Sequence, residues 1–329
     1  MNNDSQADFI SIGDTVMDAF IRLSIGHIEE SAGGAQLCLP YGEKVPYESV
    51  TVIPAVGNSA NAVVSASRLG LSTAIVSFLG DDINGKKCLE QLEKEKINTQ
   101  FITQEKGKDT NYHYVLWKGD DRTILIRHTD FTTKLPDIGN PKWIYLSSLG
   151  PNAKEIHFEV EKYMKSHGDV KLAFQPGTYQ LNIKDELVEL YKEVDVLCLN
   201  KEEAKELLNV QEEDIKTLLD GIQNMGPKIV IITDGHDGAF MKNENTYFNM
   251  PIYPDMALPF ERTGAGDAFF STFISYLAKE KDVEYAMMRA PINSMSVVQF
   301  IGAQEGLLTE EKIEEYLKKA PENYKLTTI

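Results

Sequence analysis

Residues 261–273 read ERTGAGDAFFSTF, and within them the pattern changes from glycine-rich to apolar. Gly264 and Gly266 flank Ala265, and Asp267 follows directly. The apolar residues after Asp267 recur at helical spacing, which predicts a helix that begins near Ala265. The N–H groups and the dipole at such a helix start favour an anion such as phosphate. The residues alone leave two interpretations of Asp267: a carboxylate that stabilises the first helical turn, or a general base beside an anion-binding turn.

Upstream of this stretch, short apolar runs alternate with amphipathic stretches. The alternation predicts a mostly parallel central sheet with helices on both faces, a three-layer, Rossmann-like α/β fold. The predicted strands are 9–12, 74–78, 143–146, 171–174, 196–199 and 229–233, and the predicted helices are 61–69, 86–96, 153–167 and 202–208. Polar and glycine residues follow the strand ends, where open α/β sheets bind their ligands.

Two segments interrupt this alternation. Residues 20–53 lack a helical period, and residues 111–128 are typical of a hairpin that turns near Gly119 and Asp120. Both segments suit a small β-rich lid, and a plain surface excursion is the alternative. Because the chain has no internal repeat and no obvious linker, we expect one domain over residues 1–329, with the lid inserted into it.

The composition excludes several classes of protein. A net charge of −17 argues against a general affinity for nucleic acid or for anionic membranes. No apolar run approaches the roughly 20 residues of a membrane span, and the N-terminus lacks the regions of a signal peptide, so we expect a cytoplasmic location. Cys38, Cys88 and Cys198 form no CxxC pair, and the six histidines have no HExxH spacing. We therefore expect free thiols and no zinc site.

Three further motifs each have a structural and a functional interpretation. Asp14 and Asp18 are either turn and surface residues or acceptors for the hydroxyls of a polyol. Residues 57–61 (GNSAN) either cap the following helix or bind sugar hydroxyls. Asn200 and Glu203 either form a capping box or organise a hydrated Mg²⁺. No single motif decides between these interpretations.

The order of the motifs along the chain is more specific. It resembles that of the PfkB, or ribokinase-like, family of carbohydrate and nucleoside kinases, and the resemblance spans nearly the whole chain. The matching segments are GNSANAVVSASRLG, FLGDDINGKKCLEQLEKEKINT, VDVLCLNKEEAKELL, IVIITDGHDGAF, RTGAGDAFFSTF and NSMSVVQFIGAQEGL. The resemblance implies a ribokinase-like fold and a kinase that uses ATP and Mg²⁺.

The resemblance also implies roles for individual residues. It makes Asp267 the general base, and it places the backbone N–H groups of Gly264, Ala265 and Gly266 around the transferring phosphoryl group. It assigns Mg²⁺ and its waters to Asn200 and Glu203. The residues implied for the nucleotide are Asn200, Thr233, Gly235, Gly238 and Asn293, and those implied for the acceptor are Asp14, Asp18, Gly57, Asn58 and Asn61.

The sequence departs from the family pattern at two places. Val56 stands where the family often has the first of two glycines, which affects the shape of the acceptor pocket. Glu261 and Arg262 stand where the family often has Asp-Thr, a region that shapes a monovalent-cation site. Activation by K⁺ is therefore left open, and Arg262 either faces the phosphates or faces solvent.

These patterns favour a kinase that phosphorylates a hydroxyl group of a small sugar. A nucleoside kinase of the adenosine type is the alternative, because the family that the chain resembles includes such members. Phe20, Tyr112 and Tyr114 either stack on a base or form the core of the lid. A catalytically silent sugar- or nucleotide-binding protein and a structural unit assembled through the lid are two rivals of other classes. The resemblance also implies that the lid can serve as a dimer surface, so a homodimer through the lid is a further expectation.

Overall fold

The short apolar runs of the sequence become the strands of a large sheet. The computed structural model describes residues 6–31, 34–119, 121–257, 259 and 262–329. In chain order, the strands in these ranges are β1 (Phe9–Ile12), β2 (Val16–Leu23), β3 (His27–Ser31), β4 (Gly34–Cys38), β5 (Tyr47–Val56), β6 (Thr73–Gly80), β7 (Ile102–Glu105), β8 (Tyr112–Lys118), β9 (Asp121–Leu125), β10 (Trp143–Leu146), β11 (Lys171–Phe174), β12 (Val196–Asn200), β13 (Ile229–Thr233), β14 (Ala239–Asn243), β15 (Thr246–Met250) and β16 (Thr327–Thr328).

Amphipathic segments form the helices that cover this sheet. In chain order, the α-helices of the described ranges are α1 (Asn58–Arg68), α2 (Ile83–Lys94), α3 (Lys154–Ser166), α4 (Thr178–Asn182), α5 (Val188–Glu193), α6 (Lys201–Leu208), α7 (Ile215–Gln223), α8 (Ala265–Ala278), α9 (Val283–Met287), α10 (Ala290–Val297) and α11 (Glu310–Lys318). Among the residues described, none of these helices has the length and apolar character needed to cross a membrane.

The sheet has ten strands in the order β16-β15-β14-β13-β12-β11-β10-β1-β6-β7. Strands β7, β6, β1 and β10–β13 run parallel, whereas β14, β15 and β16 are added antiparallel at one edge. All six predicted strands form, and the expectation of a mostly parallel sheet is confirmed. The carboxyl ends of the parallel strands therefore lie along one edge of the sheet, where the polar residues after each strand are brought together.

Two apolar cores lie on opposite faces of the sheet, because successive residues of a strand point to opposite sides. Phe9 packs with α1, α8 and α10 on one face, and its neighbour Ile10 packs with α3, α5, α6 and α7 on the other. Both side chains are fully buried. The three-layer arrangement predicted from the β-α alternation is thus confirmed.

A second, four-stranded sheet with the order β5-β2-β8-β9 comes from the two segments that interrupt the alternation. The first of these segments supplies β2 and β5 and extends from Val16 to Val56, beyond the predicted limits of 20–53. The hairpin β8–β9 forms as predicted, although its turn residue Asp120 lies outside the described residues. A separate two-stranded hairpin, β3–β4, extends from the same segment.

Candidate active site

The carboxylate of Asp267 lies in the first turn of α8 and is 7% exposed. The Nδ2 group of Asn58 donates to Asp267 Oδ1 at 2.8 Å, and Nδ2 of Asn61 donates to Oδ2 at 2.8 Å. Gln175 Nε2 donates to Oδ1 at 3.3 Å, and its own side-chain oxygen accepts a hydrogen bond from the hydroxyl of Tyr145. These three hydrogen bonds hold the carboxylate in one orientation. Because each donor is a neutral amide, none of them neutralises the negative charge of Asp267.

This environment changes the proton affinity of Asp267. Burial raises the pKa of its carboxyl, the amide donors of Asn61, Asn58 and Gln175 act in the opposite direction, and the net result is a raised pKa. A carboxylate with a raised pKa is a stronger base than an exposed aspartate. The geometry therefore favours the general-base interpretation over a role limited to the helix turn.

Helix α1 positions the two asparagines. Gly57 is its N-cap with φ of +107°, and a Cβ there would lie 2.8 Å from the backbone oxygen of Asp14. No side chain caps this helix, so the capping interpretation of residues 57–61 is wrong for Asn58, whose amide bonds Asp267 instead. The i, i+3 spacing places Asn58 and Asn61 on one face of α1.

Gln304 orients the side-chain amide of Asn61. Its Nε2 donates to Oδ1 of Asn61 at 3.0 Å and to the backbone oxygen of Ala55 at 2.6 Å. These bonds fix which end of the Asn61 amide faces Asp267. The sequence analysis did not assign a role to Gln304, or to Gln175 directly after β11. The position of Gln175 at a strand end was the available signal.

The start of α8 has the geometry of an anion-binding turn. Gly264 has φ of +81°, and a Cβ at this position would approach the Cβ of Ala303 to 2.3 Å, so only glycine fits. The first N–H groups of an α-helix have no partner within the helix. In α8 these belong to Ala265, Gly266 and Asp267, beside the cavity that holds the carboxylate.

Asn200 and Glu203 form the predicted capping box at the start of α6. The Glu203 N–H donates to Asn200 Oδ1 at 2.9 Å, and the Asn200 N–H donates to Glu203 Oε2 at 2.8 Å. Burial, followed by the nearby charge of Asp267, raises the pKa of Glu203, although its bonds to Asn200 oppose the shift. Two carboxylates that repel each other on one cavity wall are a suitable environment for a divalent cation.

Two cavities meet at this turn. The larger, about 440 Å³, contains all five predicted acceptor residues together with Asp267, Asn200 and Glu203. The smaller, about 250 Å³, is mainly apolar and is lined by Gly235, Gly238 and Ala265. The residues shared by both cavities are Thr233, Arg262 and Gly266. A ligand that occupies both must therefore pass over the glycine-rich turn.

Arg262 lines both cavities, whereas Asn293 lines neither of them. Arg262 lies at the junction of the cavities, with Nη2 at 3.4 Å from His236 Nε2, whereas Glu261 lies outside the described residues. Asn293 is not brought to the smaller cavity. Its side chain is fully buried and bonds Thr272 Oγ1 at 2.8 Å. It also accepts from the Leu308 N–H at 2.9 Å. Its neighbours Ser294 and Met295 line the cavity instead.

The small sheet contributes residues that the sequence analysis missed. His113, Arg122 and His128 line the larger cavity. His128 Nδ1 lies 3.4 Å from Asp14 Oδ2, and this contact raises the pKa of His128. Burial, with a contribution from His128, lowers the pKa of His113 to about 4. The period-two pattern of the hairpin was the available signal, since it places His113 on the face opposite Tyr112 and Tyr114.

His113 is held against Asp18. Its Nδ1 lies 3.6 Å from Asp18 Oδ1, and its buried Nε2 has no hydrogen-bond partner among the described residues. If Nδ1 carries the proton toward Asp18, the buried Nε2 is a hydrogen-bond acceptor.

The fold and site together define a class of enzyme. A buried carboxylate, a glycine-rich helix start and two cavities that meet at that start are the arrangement that phosphoryl transfer to a hydroxyl requires. Residues 13–310 match the model of the pfkB family carbohydrate kinases, and the chain belongs to this family. It is therefore a phosphotransferase with an alcohol group as acceptor.

Individual relatives agree with this assignment. The chain is 30% identical to the ribokinase of Bacillus subtilis over 285 residues, which cover 84% of this chain and 92% of the relative. It is 23% identical to a nucleoside kinase of Methanocaldococcus jannaschii over 291 residues, with coverage of 84% and 92%. The structure of Arabidopsis thaliana ribokinase complexed with ribose and ATP superimposes with a TM-score of 0.79 and 19% identity. That comparison covers 95% of this chain and 99% of the other, and it confirms the fold.

The raised pKa of Asp267 predicts the acid limb of the pH profile. The base works only when deprotonated, so kcat falls as the pH falls through the pKa of Asp267. Because burial raises that pKa, the fall begins at a higher pH than the value near 3.9 of a free aspartate predicts. Initial rates at saturating substrates from about pH 4 to about pH 8 measure this limb.

The His128→Gln variant is the control for this profile, because the pKa of His128 is also raised. We expect the acid limb to persist in the variant. An acid limb that disappears with His128, or a wild-type kcat that stays constant down to about pH 4, contradicts the assignment to Asp267.

Proposed function

We propose that the chain is an ATP- and Mg²⁺-dependent sugar kinase that transfers the γ-phosphoryl group of ATP to a hydroxyl of a small carbohydrate. The observation that carries the proposal is the buried Asp267 carboxylate, which Asn58 and Asn61 hold in the larger cavity, directly after Gly266 where the two cavities join. One cavity has the polar lining that a polyol requires, and the other has the apolar lining that a nucleobase requires.

The nucleotide is assigned to the smaller cavity. Gly235 and Gly238 follow β13 and allow the nucleotide to approach the backbone, while the side chains of Met250 and Val298 supply apolar surface for the base. Thr233 and Arg262 lie where the two cavities join, so they are placed to contact the phosphates. Of the two interpretations of Arg262, this position favours a contact with the phosphates.

In the transfer step, Asp267 accepts the proton of the acceptor hydroxyl while that oxygen forms a bond to the γ-phosphorus. The bond from the γ-phosphorus to the bridging oxygen breaks, and ADP leaves with the electron pair. The N–H groups of Gly264, Ala265 and Gly266 stabilise the negative charge on the transferring group. Asn200 and Glu203 are placed to hold Mg²⁺ through water, and the ion, when bound, neutralises phosphate charge.

The acceptor is assigned to the larger cavity. Asp14 and Asp18 offer carboxylate oxygens to neighbouring hydroxyls, and His113 lines the same cavity. Among the described residues that line this cavity there is no Phe, Tyr or Trp. Tyr112 and Tyr114, which were candidates for stacking on a base, lie outside it. The lining therefore supports a sugar over a nucleoside.

A nucleoside is the second candidate. The chain is related over most of its length to a protein named as a nucleoside kinase. Ile124 and Ile126 form an apolar part of the larger cavity, and a base could pack there without an aromatic partner.

The four-stranded sheet is proposed as a lid and as a dimer surface. The face of the sheet that carries His113 and Arg122 is turned to the cavity, so closure of the sheet would exclude water from the transfer step. The opposite face exposes large apolar side chains. These are Val50, Val52, Tyr114 and Leu125, each between 46% and 51% exposed. Clustered exposed apolar residues are typical of an interaction surface, and a second copy of the chain is the partner that we propose.

Asp267→Asn is expected to keep the binding of ATP and to lose most of the turnover. The amide cannot accept the proton, and a general base typically contributes about 10²–10⁴-fold to the rate. The measurements are kcat by ADP release and ATP affinity by calorimetry. Asp282→Asn is the matched control, since Asp282 caps α9 away from the cavities and asparagine caps equally well. A kcat of Asp267→Asn close to that of the control contradicts the general-base role.

The acceptor class is tested by ADP release across a panel of sugars and nucleosides, with and without Mg²⁺. We expect turnover on at least one sugar, which Mg²⁺ removal abolishes. Turnover on nucleosides and on no sugar contradicts the proposed acceptor class and leaves the kinase assignment in place. Tight ligand binding without turnover on any compound favours the silent-binder alternative.

Val52→Asp is expected to shift the chain from dimer to monomer, because it places a charge in the proposed apolar interface. Sedimentation velocity at micromolar concentrations measures the change. Val188→Asp is the control, since Val188 is 45% exposed on α5, outside the small sheet. A monomeric wild-type chain, or a dimer that Val52→Asp leaves intact, contradicts the proposed interface.

A further inference from the structure

The hairpin β3–β4 lacks the support that the other strands have. Among the residues that the structure describes, it forms a two-stranded sheet of its own and pairs with neither larger sheet. Residues 27–30 and 34–36 are exposed. An isolated two-stranded hairpin is at best marginally stable in water. A further interaction between the two strands would therefore stabilise the hairpin.

One face of the hairpin brings together three metal-binding side chains. His27 pairs directly with Cys38 across the strands, and Glu29 is two residues along on the same face. Cys38 Sγ lies 3.5 Å from Glu29 Oε2. One ligand atom from each of His27, Glu29 and Cys38 lies within 4.8 Å of the other two. This cross-strand arrangement does not depend on the CxxC and HExxH spacings, which is why the sequence analysis predicted no zinc site.

The donor set selects the type of ion. A thiolate, an imidazole nitrogen and a carboxylate oxygen are the ligands that Zn²⁺ takes in proteins, whereas Mg²⁺ and Ca²⁺ take oxygen. Ligand distances of about 2.0–2.3 Å around a tetrahedral Zn²⁺ place the donor atoms roughly 3.3–3.7 Å apart. The three side chains would need to contract by about 1 Å to reach these distances. Exposed side chains achieve that by rotation.

We propose that His27, Glu29 and Cys38 form a Zn²⁺ site that fastens β3 to β4, with water as the fourth ligand. The site lies outside both cavities of the candidate active site. The ion joins β3 to β4, so the free energy of Zn²⁺ binding stabilises the hairpin. Cys88 and Cys198 are buried in the core and do not compete for the ion.

The test is a Zn²⁺ titration of the full chain, free of affinity tags and pretreated with a chelator, against a chromophoric zinc indicator. We expect one Zn²⁺ per chain with micromolar affinity or better. Cys38→Ser and Glu29→Gln are each expected to weaken binding by at least about tenfold, the lower end of the loss found when only an outer-shell partner is removed. Co²⁺ in place of Zn²⁺ should give the thiolate-to-metal absorption band, and Cys38→Ser should remove that band.

Glu30→Gln is the matched control. It removes the same charge from the neighbouring residue, whose side chain lies on the opposite face of β3. We expect Zn²⁺ affinity close to that of the wild type. No stoichiometric binding overturns the proposal, as does binding that Glu29→Gln and Glu30→Gln weaken equally. A Co²⁺ complex of Cys38→Ser that keeps the thiolate band also overturns it.

Discussion

The hydrogen bonds from Asn58 and Asn61 to Asp267 hold the candidate active site together. They join the start of α1 to the start of α8, which lie about 200 residues apart in sequence. Each asparagine takes one carboxylate oxygen, so the carboxylate can neither rotate nor move without breaking a buried bond. Gln304 then fixes the amide of Asn61 from behind. The catalytic geometry thus depends on two helix starts being packed at the same edge of one sheet.

The choice of neutral donors has an electrostatic consequence. An arginine or lysine beside Asp267 would lower its pKa and weaken it as a base. Amide donors orient the carboxylate, and burial keeps its pKa raised. Glu203 lies near enough for the two carboxylates to repel, which makes the cavity wall receptive to a divalent cation when the triphosphate binds. In the proposed function, one cluster of residues provides both the base and the site for the metal.

Much of the fold could be predicted from the sequence, because the length of an apolar strand and the spacing of apolar residues in a helix are both visible in a short stretch of sequence. The strand ends followed by polar residues identified Asn200 and Asp14 correctly as cavity residues. Asn293 was expected near the nucleotide, but Ser294 and Met295 line the smaller cavity in its place. Neighbouring positions on a buried helix differ only in the direction of the side chain, and the sequence does not show which of them faces the cavity. His113 was missed because the aromatic residues beside it gave a stronger signal for stacking. The pairing of His27 with Cys38 needed the strand register, which local sequence does not contain.

The account is tested most directly by a crystal structure of the chain with its preferred acceptor, Mg²⁺ and a non-hydrolysable ATP analogue. We expect the reacting hydroxyl oxygen within about 2.6–3.2 Å of an Asp267 carboxylate oxygen. The γ-phosphate should lie over the N–H groups of Ala265 and Gly266. A reacting hydroxyl that lies beside Asp14 or Glu203, with Asp267 beyond the reach of one bridging water, contradicts the central claim.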